Sequence, residues 1–278
     1  MAKSATPADL QIKPRDLHID REAPTPRWWL NGDPFGTAVM NALSLTFPDG
    51  ERFFIQSVKR FAKDAPPALA ADIRAFTVQE GAHTREHRAF NAITERAGYD
   101  TAEIEAYVTA RLDIARARPA LAQLAATMAL EHFTAAFAHR LLADPELLKG
   151  SPHDLARLWR WHSIEEIEHK GVAYDVFLHA TRDLSPLKRW RIRRWAMFLT
   201  TLLFTRTVRE TTFMLLKQDG IVGWRARLGL FRWLWLKPGL YRRMIGDYLA
   251  FYKPDFHPWQ VDDRDLIADA EAGLAQPA

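Results

Sequence analysis

The sequence contains no cysteine. Disulfide bonds, thiolate metal sites and iron–sulfur clusters are therefore excluded, and a metal site has to use histidine and carboxylate ligands. The chain also lacks the apolar–polar alternation of β-strands, a glycine-rich phosphate loop and a Gly-x-Ser-x-Gly motif. These absences favour an all-α protein that binds no nucleotide, flavin or haem.

Long apolar runs are missing as well. The N-terminal segment MAKSATPADLQIKPRD has no apolar stretch of signal-peptide length. The apolar run 195–204 is ten residues long, which is too short to span about 30 Å of hydrocarbon. We therefore expect no transmembrane helix and a cytoplasmic protein, with attachment to the periphery of the inner membrane left open.

Two Glu-x-x-His pairs stand out in the sequence, and a single glutamate precedes each pair. The pairs are Glu80 with His83 and Glu166 with His169, and the single glutamates are Glu51 and Glu131. Residues three apart lie on nearly the same face of a helix, so each pair points in one direction. Four-helix di-metal carboxylate proteins use this inventory of ligands. The sequence therefore predicts a centre that holds two metal ions.

Additional histidines share the faces of the two pairs. His162 lies one turn before Glu166, and we take it as the preferred seventh ligand. His87 lies one turn after His83, and three roles stay open for it: a metal ligand, a partner of a ligand, or a proton carrier.

Other polar residues near the predicted ligands are weaker candidates. Glu165 competes with Glu166 as a ligand, and Asn91 lies on the face of Glu80, where it can hydrogen-bond a ligand. The residues predicted to line a pocket beside Glu131 are Thr127, Met128 and Thr134.

The charge of the predicted ligands favours two divalent cations. Four glutamates bring four negative charges, which two divalent cations neutralise, while neutral imidazoles add none. Without cations, the clustered carboxylates would each cost several kcal/mol in a low-dielectric core unless protonated or paired. Carboxylate and imidazole ligands suit iron, manganese and zinc. We expect iron, with manganese or zinc as alternatives.

Composition divides the chain into four parts. Residues 1–35 are polar and rich in proline, and we expect an extended arm anchored by Trp28 and Trp29. A ferritin-like four-helix bundle with the di-metal centre is predicted over 36–183. Its first helix follows the turn signal Pro48-Asp49-Gly50 and runs to about residue 63. Additional C-terminal helices packed on the bundle are predicted for 184–260, and a flexible tail for 261–278.

Several segments resemble a bacterial family usually described as predicted metal-dependent hydrolases. They are TFPDGERFF (46–54), QEGAHTREHRAFN (79–91), EHFTAAF (131–137), WHSIEEIEHKGVAYDVF (161–177) and YLAFYKPDFHPW (248–259). This resemblance spans about residues 35–260 and implies a ferritin-like metal-binding fold. The spacing His162-x-x-x-Glu166-x-x-His169 is also similar to the ligand helix of di-iron arylamine N-oxygenases, which implies that His162 binds iron.

Open coordination positions at such a centre indicate small-molecule chemistry. Because ferritin-like scaffolds often activate dioxygen, we expect a non-haem di-iron oxygenase or oxidase, such as a monooxygenase. Its partners would be an apolar or aromatic small-molecule substrate and an electron donor. The first alternative is a metal-dependent hydrolase that uses a metal-bridging hydroxide. The second is a non-enzymatic metal-binding or ferroxidase protein.

Basic and aromatic residues are concentrated in the C-terminal part. Residues 186–260 contain 15 Lys or Arg against four Asp or Glu, and six of the ten tryptophans. Arginine interleaved with tryptophan and leucine is typical of a helix at a membrane interface, so peripheral membrane contact through 186–243 is one expectation. A homodimer is the other. No nucleic-acid motif accompanies the charge, and we expect no nucleic-acid partner.

Overall fold

The computed structural model describes residues 6–274, and all regular secondary structure in that range is helical. The ten α-helices are α1 (Pro34–Lys59), α2 (Pro67–Arg96), α3 (Ala102–Arg116), α4 (Ala120–Ala143), α5 (His153–His169), α6 (Val172–Ala180), α7 (Pro186–Gln218), α8 (Gly223–Trp235), α9 (Leu240–Ala250) and α10 (Arg264–Leu274). Two short 3₁₀ turns, Pro145–Leu148 and Pro258–Gln260, complete the order. The all-α prediction is confirmed for the described residues.

Four of the helices form a closed ring of contacts. α1 packs on α2, α2 on α5, α5 on α4, and α4 on α1. Two apolar clusters fill the interior of this ring, one around Phe90, Trp159 and Trp161, the other around Phe76 and Phe177. Side chains that point inward from the four helices therefore meet in a protected core.

The start of α1 differs from the sequence-based prediction. The prediction that the first helix follows Pro48-Asp49-Gly50 is wrong, because α1 begins at Pro34 and runs through Pro48. A proline inside a helix lacks the N–H that would bond the carbonyl four residues earlier, here that of Ser44. In this protein the Asn91 side-chain amide donates to the Ser44 carbonyl at 3.4 Å. A contact from α2 thus partly replaces the missing hydrogen bond.

Residues 6–33 of the predicted arm contain no helix and run across the ring. Trp29 is buried and donates from Nε1 to Asn41 Oδ1 at 2.8 Å, whereas Trp28 is partly exposed. The backbone N–H of Ile19 donates to the buried carboxylate of Glu86 on α2. The arm is therefore held by polar contacts with the helices as well as by Trp29; residues 1–5 lie outside the described part of the chain.

The C-terminal helices pack on the ring. α7 contacts α1 and α4, α8 contacts α1 and α9, and α9 contacts α4. No helix in the described range is long and apolar enough to cross a membrane.

The tail predicted for 261–278 differs in the structure. Arg264–Leu274 form α10, which packs on α5 because Ile267 and Leu274 recur on one face and join a cluster with Ile164 and Trp259. Residues 275–278 of the predicted tail lie outside the described residues, and the domain boundaries themselves stay a prediction.

Candidate metal centre

Each helix of the ring contributes at least one predicted ligand to a common point in the core. The seven residues are Glu51 from α1, Glu80 and His83 from α2, Glu131 from α4, and His162, Glu166 and His169 from α5. All seven are buried, none with more than 4% of its surface exposed. Such burial of acidic side chains is rare unless a counter-charge or a metal compensates it.

Two glutamates occupy the middle of the cluster. Glu166 Oε1 lies 3.6 Å from both His83 Nδ1 and His169 Nε2, and 3.0 Å from His162 Nε2. Glu80 Oε1 lies 3.1 Å from His169 Nε2 and 3.9 Å from His83 Nδ1. Each of the two carboxylates therefore faces histidines on both sides of the core.

The other two glutamates, Glu51 and Glu131, lie at opposite sides of the cluster. Donor atoms of Glu51, Glu80 and His83 come within 4.8 Å of one another, and so do those of Glu80, Glu131 and His169. The shared Glu80 joins the two groups. Each group offers carboxylate and imidazole atoms to one cation.

His162 lies on the His83 side of the cluster. The rings of His162 and His83 stack with centroids 4.1 Å apart, and donor atoms of these two residues and Glu166 form a further group within 4.8 Å. The sequence places His162 with the second pair, Glu166 and His169, whereas the structure brings it to the first. About two turns of α5 separate His162 from His169, so the two rings reach different sides of the core.

Two of the predicted ligand histidines are oriented by hydrogen bonds from the ring nitrogen that faces away from the cluster. His83 Nε2 lies 3.0 Å from Glu165 Oε2, and Glu165 also accepts the backbone N–H of Arg15 at 2.7 Å. His169 Nδ1 lies 2.9 Å from Gln79 Oε1. Because both acceptors take the proton of the far ring nitrogen, His83 Nδ1 and His169 Nε2 are left as bare nitrogens that face the cluster. Glu165 thus supports a predicted ligand and does not compete with Glu166.

His162 is oriented by a chain of three polar residues. Ser44 Oγ donates to Asn91 Oδ1 at 2.7 Å, so its only proton is used and it accepts from His87 Nδ1 at 2.8 Å. His87 Nε2 is then bare and accepts from His162 Nδ1 at 2.7 Å. His162 Nε2 is left to face Glu166. Asn91 and His87, both singled out from the sequence, therefore act through His162.

Burial dominates the electrostatics of the cluster. Burial and the charge of Glu80 raise the pKa of Glu51 well above its usual range, and burial raises the pKa of Glu131 to about 7. Burial likewise raises the pKa of Glu80. Burial opposes the charge of Glu166, but the adjacent His169 and His162 hold its pKa well below the usual range. Without cations, the polypeptide reduces the charge of the cluster by taking up protons.

The unpartnered atoms of the cluster fit metal ions. Eight buried nitrogen and oxygen atoms of the cluster have no hydrogen-bond partner: Glu51 Oε1, Glu80 Oε1 and Oε2, His83 Nδ1, Glu131 Oε1 and Oε2, Glu166 Oε2, and His169 Nε2. When the imidazoles are neutral, their bare nitrogens lie opposite carboxylate oxygens, lone pair against lone pair; burial opposes a proton on His169, but Glu131 and Glu166 raise the pKa of His169 well above its usual value. Only a proton or a cation between them makes such contacts favourable.

The predicted pocket residues fall into two groups. Thr127 is buried and its hydroxyl lies 2.7 Å from that of Ser57, and Met128 packs in the apolar cluster around Phe76. Thr134 lines a large cavity between α1, α4, α7, α8 and α9. Thr134 therefore lines this cavity, whereas Thr127 and Met128 do not.

This cavity has a volume of about 1060 Å³ and a mostly apolar lining. Phe47 forms part of its wall, and the Phe47 ring stacks on His162 with centroids 5.0 Å apart and meets His87 edge-on at 4.7 Å. Phe47 therefore separates the cavity from the candidate metal centre.

Some residues of the site were not predicted from the sequence. Ser44 and Thr84, which donates to Glu51 Oε2 at 2.8 Å, lie two turns before Glu51 and one turn after Glu80, so helical spacing could have found them. Gln79 and Arg15 carry no such signal, because they act across the gap between helices and from the arm.

Comparison with known proteins identifies the family. A family model described as predicted metal-dependent hydrolase matches residues 13–262. The searches of curated proteins and of solved structures found no match. The family match shows neither a ferritin-like fold nor the similarity to arylamine N-oxygenases. It overturns the expected oxygenase or oxidase, and with it the oxidoreductase class, in favour of the first alternative. The chain belongs to the family of predicted metal-dependent hydrolases.

Proposed function

We propose that the protein is a hydrolase whose centre binds two divalent cations in a ferritin-like four-helix bundle formed by α1, α2, α4 and α5. The observation that carries this proposal is the convergence of bare imidazole nitrogens and carboxylate oxygens, all buried and without hydrogen-bond partners. The family match supports hydrolysis as the reaction. The closed ring of contacts between the four helices supports the bundle.

The proposed ligands divide into two sides and a middle. Glu51, His83 and His162 would hold one cation, and Glu131 and His169 the other. Glu80 and Glu166 would serve both, because each faces histidines of both sides. The second side has fewer protein ligands, so we infer that it leaves more room for water and substrate.

His87 is in this proposal a positioning residue. Its Nε2 accepts the Nδ1 proton of His162, so that nitrogen is not free for a cation. The same bond keeps His162 Nε2 bare and directed to the centre.

Metal identity follows from the ligands only in part. Carboxylate and imidazole accept iron, zinc and manganese, and four carboxylates balance the charge of any two divalent ions among these. Iron stays a prediction. When bound, the cations would supply Lewis acidity, which polarises the oxygen of an ester, amide or phosphoester and makes water a stronger acid.

The protein's own residues prepare the site for this chemistry. Glu165 Oε2 holds the Nε2 proton of His83, and Gln79 Oε1 holds the Nδ1 proton of His169, so both rings keep one orientation. Phe76 meets His169 edge-on at 4.9 Å, and Trp161 meets His83 at 4.9 Å. These aromatic rings exclude bulk water and strengthen electrostatic interactions in the core.

The test combines elemental analysis with a hydrolysis panel. Protein purified without chelator should contain two metal ions per chain and hydrolyse at least one of p-nitrophenyl acetate, p-nitrophenyl laurate and bis-p-nitrophenyl phosphate. Glu131→Gln should lose metal and activity together. His132→Gln is the matched control, since His132 is also buried on α4 but bonds the Asp247 carbonyl instead.

Two results would count against the proposal. Metal-free wild-type protein that hydrolyses the esters as fast as metal-loaded protein would exclude a metal-dependent reaction. Loss of metal in His132→Gln but not in Glu131→Gln would place the metal outside the proposed centre.

A further inference from the structure

We propose that the cavity between α1, α4 and α7–α9 binds the apolar chain of the substrate, with Phe47 as the wall between the chain and the metal centre. The claim that the cavity serves the reaction rests on the proposed function, whereas the claim that the cavity binds an apolar chain does not. Two cavity-lining residues lie one helical turn from predicted ligands: Phe47 precedes Glu51 by four residues, and Thr134 follows Glu131 by three. The inner end of the cavity therefore borders the centre.

The lining of the cavity fits a hydrocarbon chain. Aromatic and aliphatic side chains dominate it, including Phe133, Phe137, Phe204 and Phe213. Its volume of about 1060 Å³ is slightly above the roughly 300–1,000 Å³ typical of pockets for small ligands. A chain of methylene groups can fill such a space without leaving polar groups unpaired, and each added methylene should tighten binding about fourfold.

The cavity opens to the surface on its far side. Val222, Phe231, Trp235 and Ile245 line it and are also exposed. An apolar chain can therefore enter between α8 and α9 and reach Phe47.

Binding to the cavity can be tested without reference to catalysis by measuring how well dodecan-1-ol displaces a fluorescent fatty acid. Thr205→Trp fills the cavity from α7 and should weaken binding at least tenfold, while metal content stays unchanged. Leu187→Trp is the matched control, because Leu187 also lies on α7 but is 58% exposed and does not line the cavity. Equal binding by the two variants, or no binding by wild type, would overturn the cavity proposal.

Ester hydrolysis then separates the two proposals. If the cavity serves the reaction, p-nitrophenyl laurate should be hydrolysed with a lower KM than p-nitrophenyl acetate, and Thr205→Trp should remove that preference. Wild-type protein that binds dodecan-1-ol but hydrolyses no ester would contradict the proposed function and leave the binding site in place.

A second observation, independent of the cavity, concerns the outer face of α7. Phe198, Leu199, Leu202 and Leu203 lie three, four, seven and eight residues after Trp195, which places all five on one face of the helix, and each is between 44% and 63% exposed. An exposed apolar stripe of this size on a protein surface marks an interaction site.

Charge identifies the partner of this stripe. Exposed arginines flank it at both ends, Arg191 and Arg194 before it and Arg206 and Arg209 after it. The acidic residues of α7–α9 and their junctions are already bonded: Glu210 to Arg209, Asp219 to Arg27, and Asp247 to Arg140. Two copies of so basic a surface would repel each other, whereas an anionic bilayer attracts it. We infer that α7 docks on a membrane that contains anionic lipids, with its apolar side chains in the interface.

Co-sedimentation with vesicles tests the docking. Wild-type protein should bind vesicles of phosphatidylcholine mixed with phosphatidylglycerol at least tenfold better than phosphatidylcholine alone, and less well at high salt. The triple variant Trp195→Ser/Leu199→Ser/Leu202→Ser should lose binding, whereas Ile114→Ser, which changes an exposed apolar residue on α3, should not. No difference between the two vesicle types, or a wild-type dimer that the triple variant turns into a monomer, would overturn the proposal.

Discussion

The metal centre and the layer of α7–α9 depart from ordinary burial in opposite directions. In the centre, four glutamates are buried with oxygens that have no hydrogen-bond partner. On α7, five large apolar side chains are exposed between arginines. Folding alone favours neither arrangement, since acids are stable in water and apolar groups in the core. We propose for each region a partner other than the polypeptide: cations for the first and a hydrocarbon surface for the second.

The largest effect is expected from a change in the middle of the centre. Glu166→Gln removes the carboxylate that faces three imidazoles, so both cations should be lost and hydrolysis should fall by more than about 100-fold, beyond the effect of outer partners. Elemental analysis and ester hydrolysis measure the two losses. Glu86→Gln changes an equally buried carboxylate of α2 that bonds Arg85 and should keep both metals. Metal retained by Glu166→Gln would contradict the proposal that the buried carboxylates of the centre hold the cations.

Removal of metal should destabilise the fold. Each cation that binds only the folded state at a hundredfold excess over its Kd stabilises that state by about 2.7 kcal/mol, which for a chain of this size raises Tm by roughly 5–10 °C. Calorimetry before and after chelation measures the difference, and re-addition of metal should restore the original Tm. An unchanged Tm would show that the buried carboxylates need no cation.

A smaller effect is expected for the residues that hydrogen-bond the proposed histidine ligands. Glu165→Leu and Gln79→Leu should each weaken metal affinity by about 10–100-fold, because His83 and His169 lose the acceptor that fixes their ring orientation. Competition with a fluorescent chelator gives the affinity. Gln123→Leu changes a buried glutamine of α4 that bonds only backbone carbonyls, and its metal affinity should equal that of wild type.

The smallest effect is expected on the outer face of α7. Leu202→Ser should change the free energy of unfolding by less than about 0.5 kcal/mol, since the side chain is 53% exposed and contributes little to the core. Urea denaturation of wild type and variant provides the values. A loss of several kcal/mol would mean that the stripe serves the fold and not a partner.

The ligands were accessible to sequence analysis because helical spacing fixes which residues share a face. Glu80 and His83 lie on the same face of α2 because they are three residues apart in a helix. Spacing does not show how two helices are rotated about each other, so it placed His162 with His169, whereas the structure stacks it on His83.

Two other differences have local causes. Pro48-Asp49-Gly50 has the composition of a turn, but the Asn91 amide bonds the Ser44 carbonyl that Pro48 leaves free, and α1 continues. No local signal at residue 48 indicates a partner 43 positions away in sequence. The prediction of an oxygenase was wrong for a different reason. A scaffold and its metal ligands do not determine the reaction, so an argument from fold analogy led to the wrong chemistry.

Anomalous diffraction from crystals of metal-loaded protein, recorded at the absorption edge of the metal found by elemental analysis, would locate the cations within the protein. The proposed two-metal centre requires two peaks in the core, both beside the carboxylates of Glu80 and Glu166, one near His83 and the other near His169. A single peak, no peak, or peaks elsewhere on the protein would contradict it.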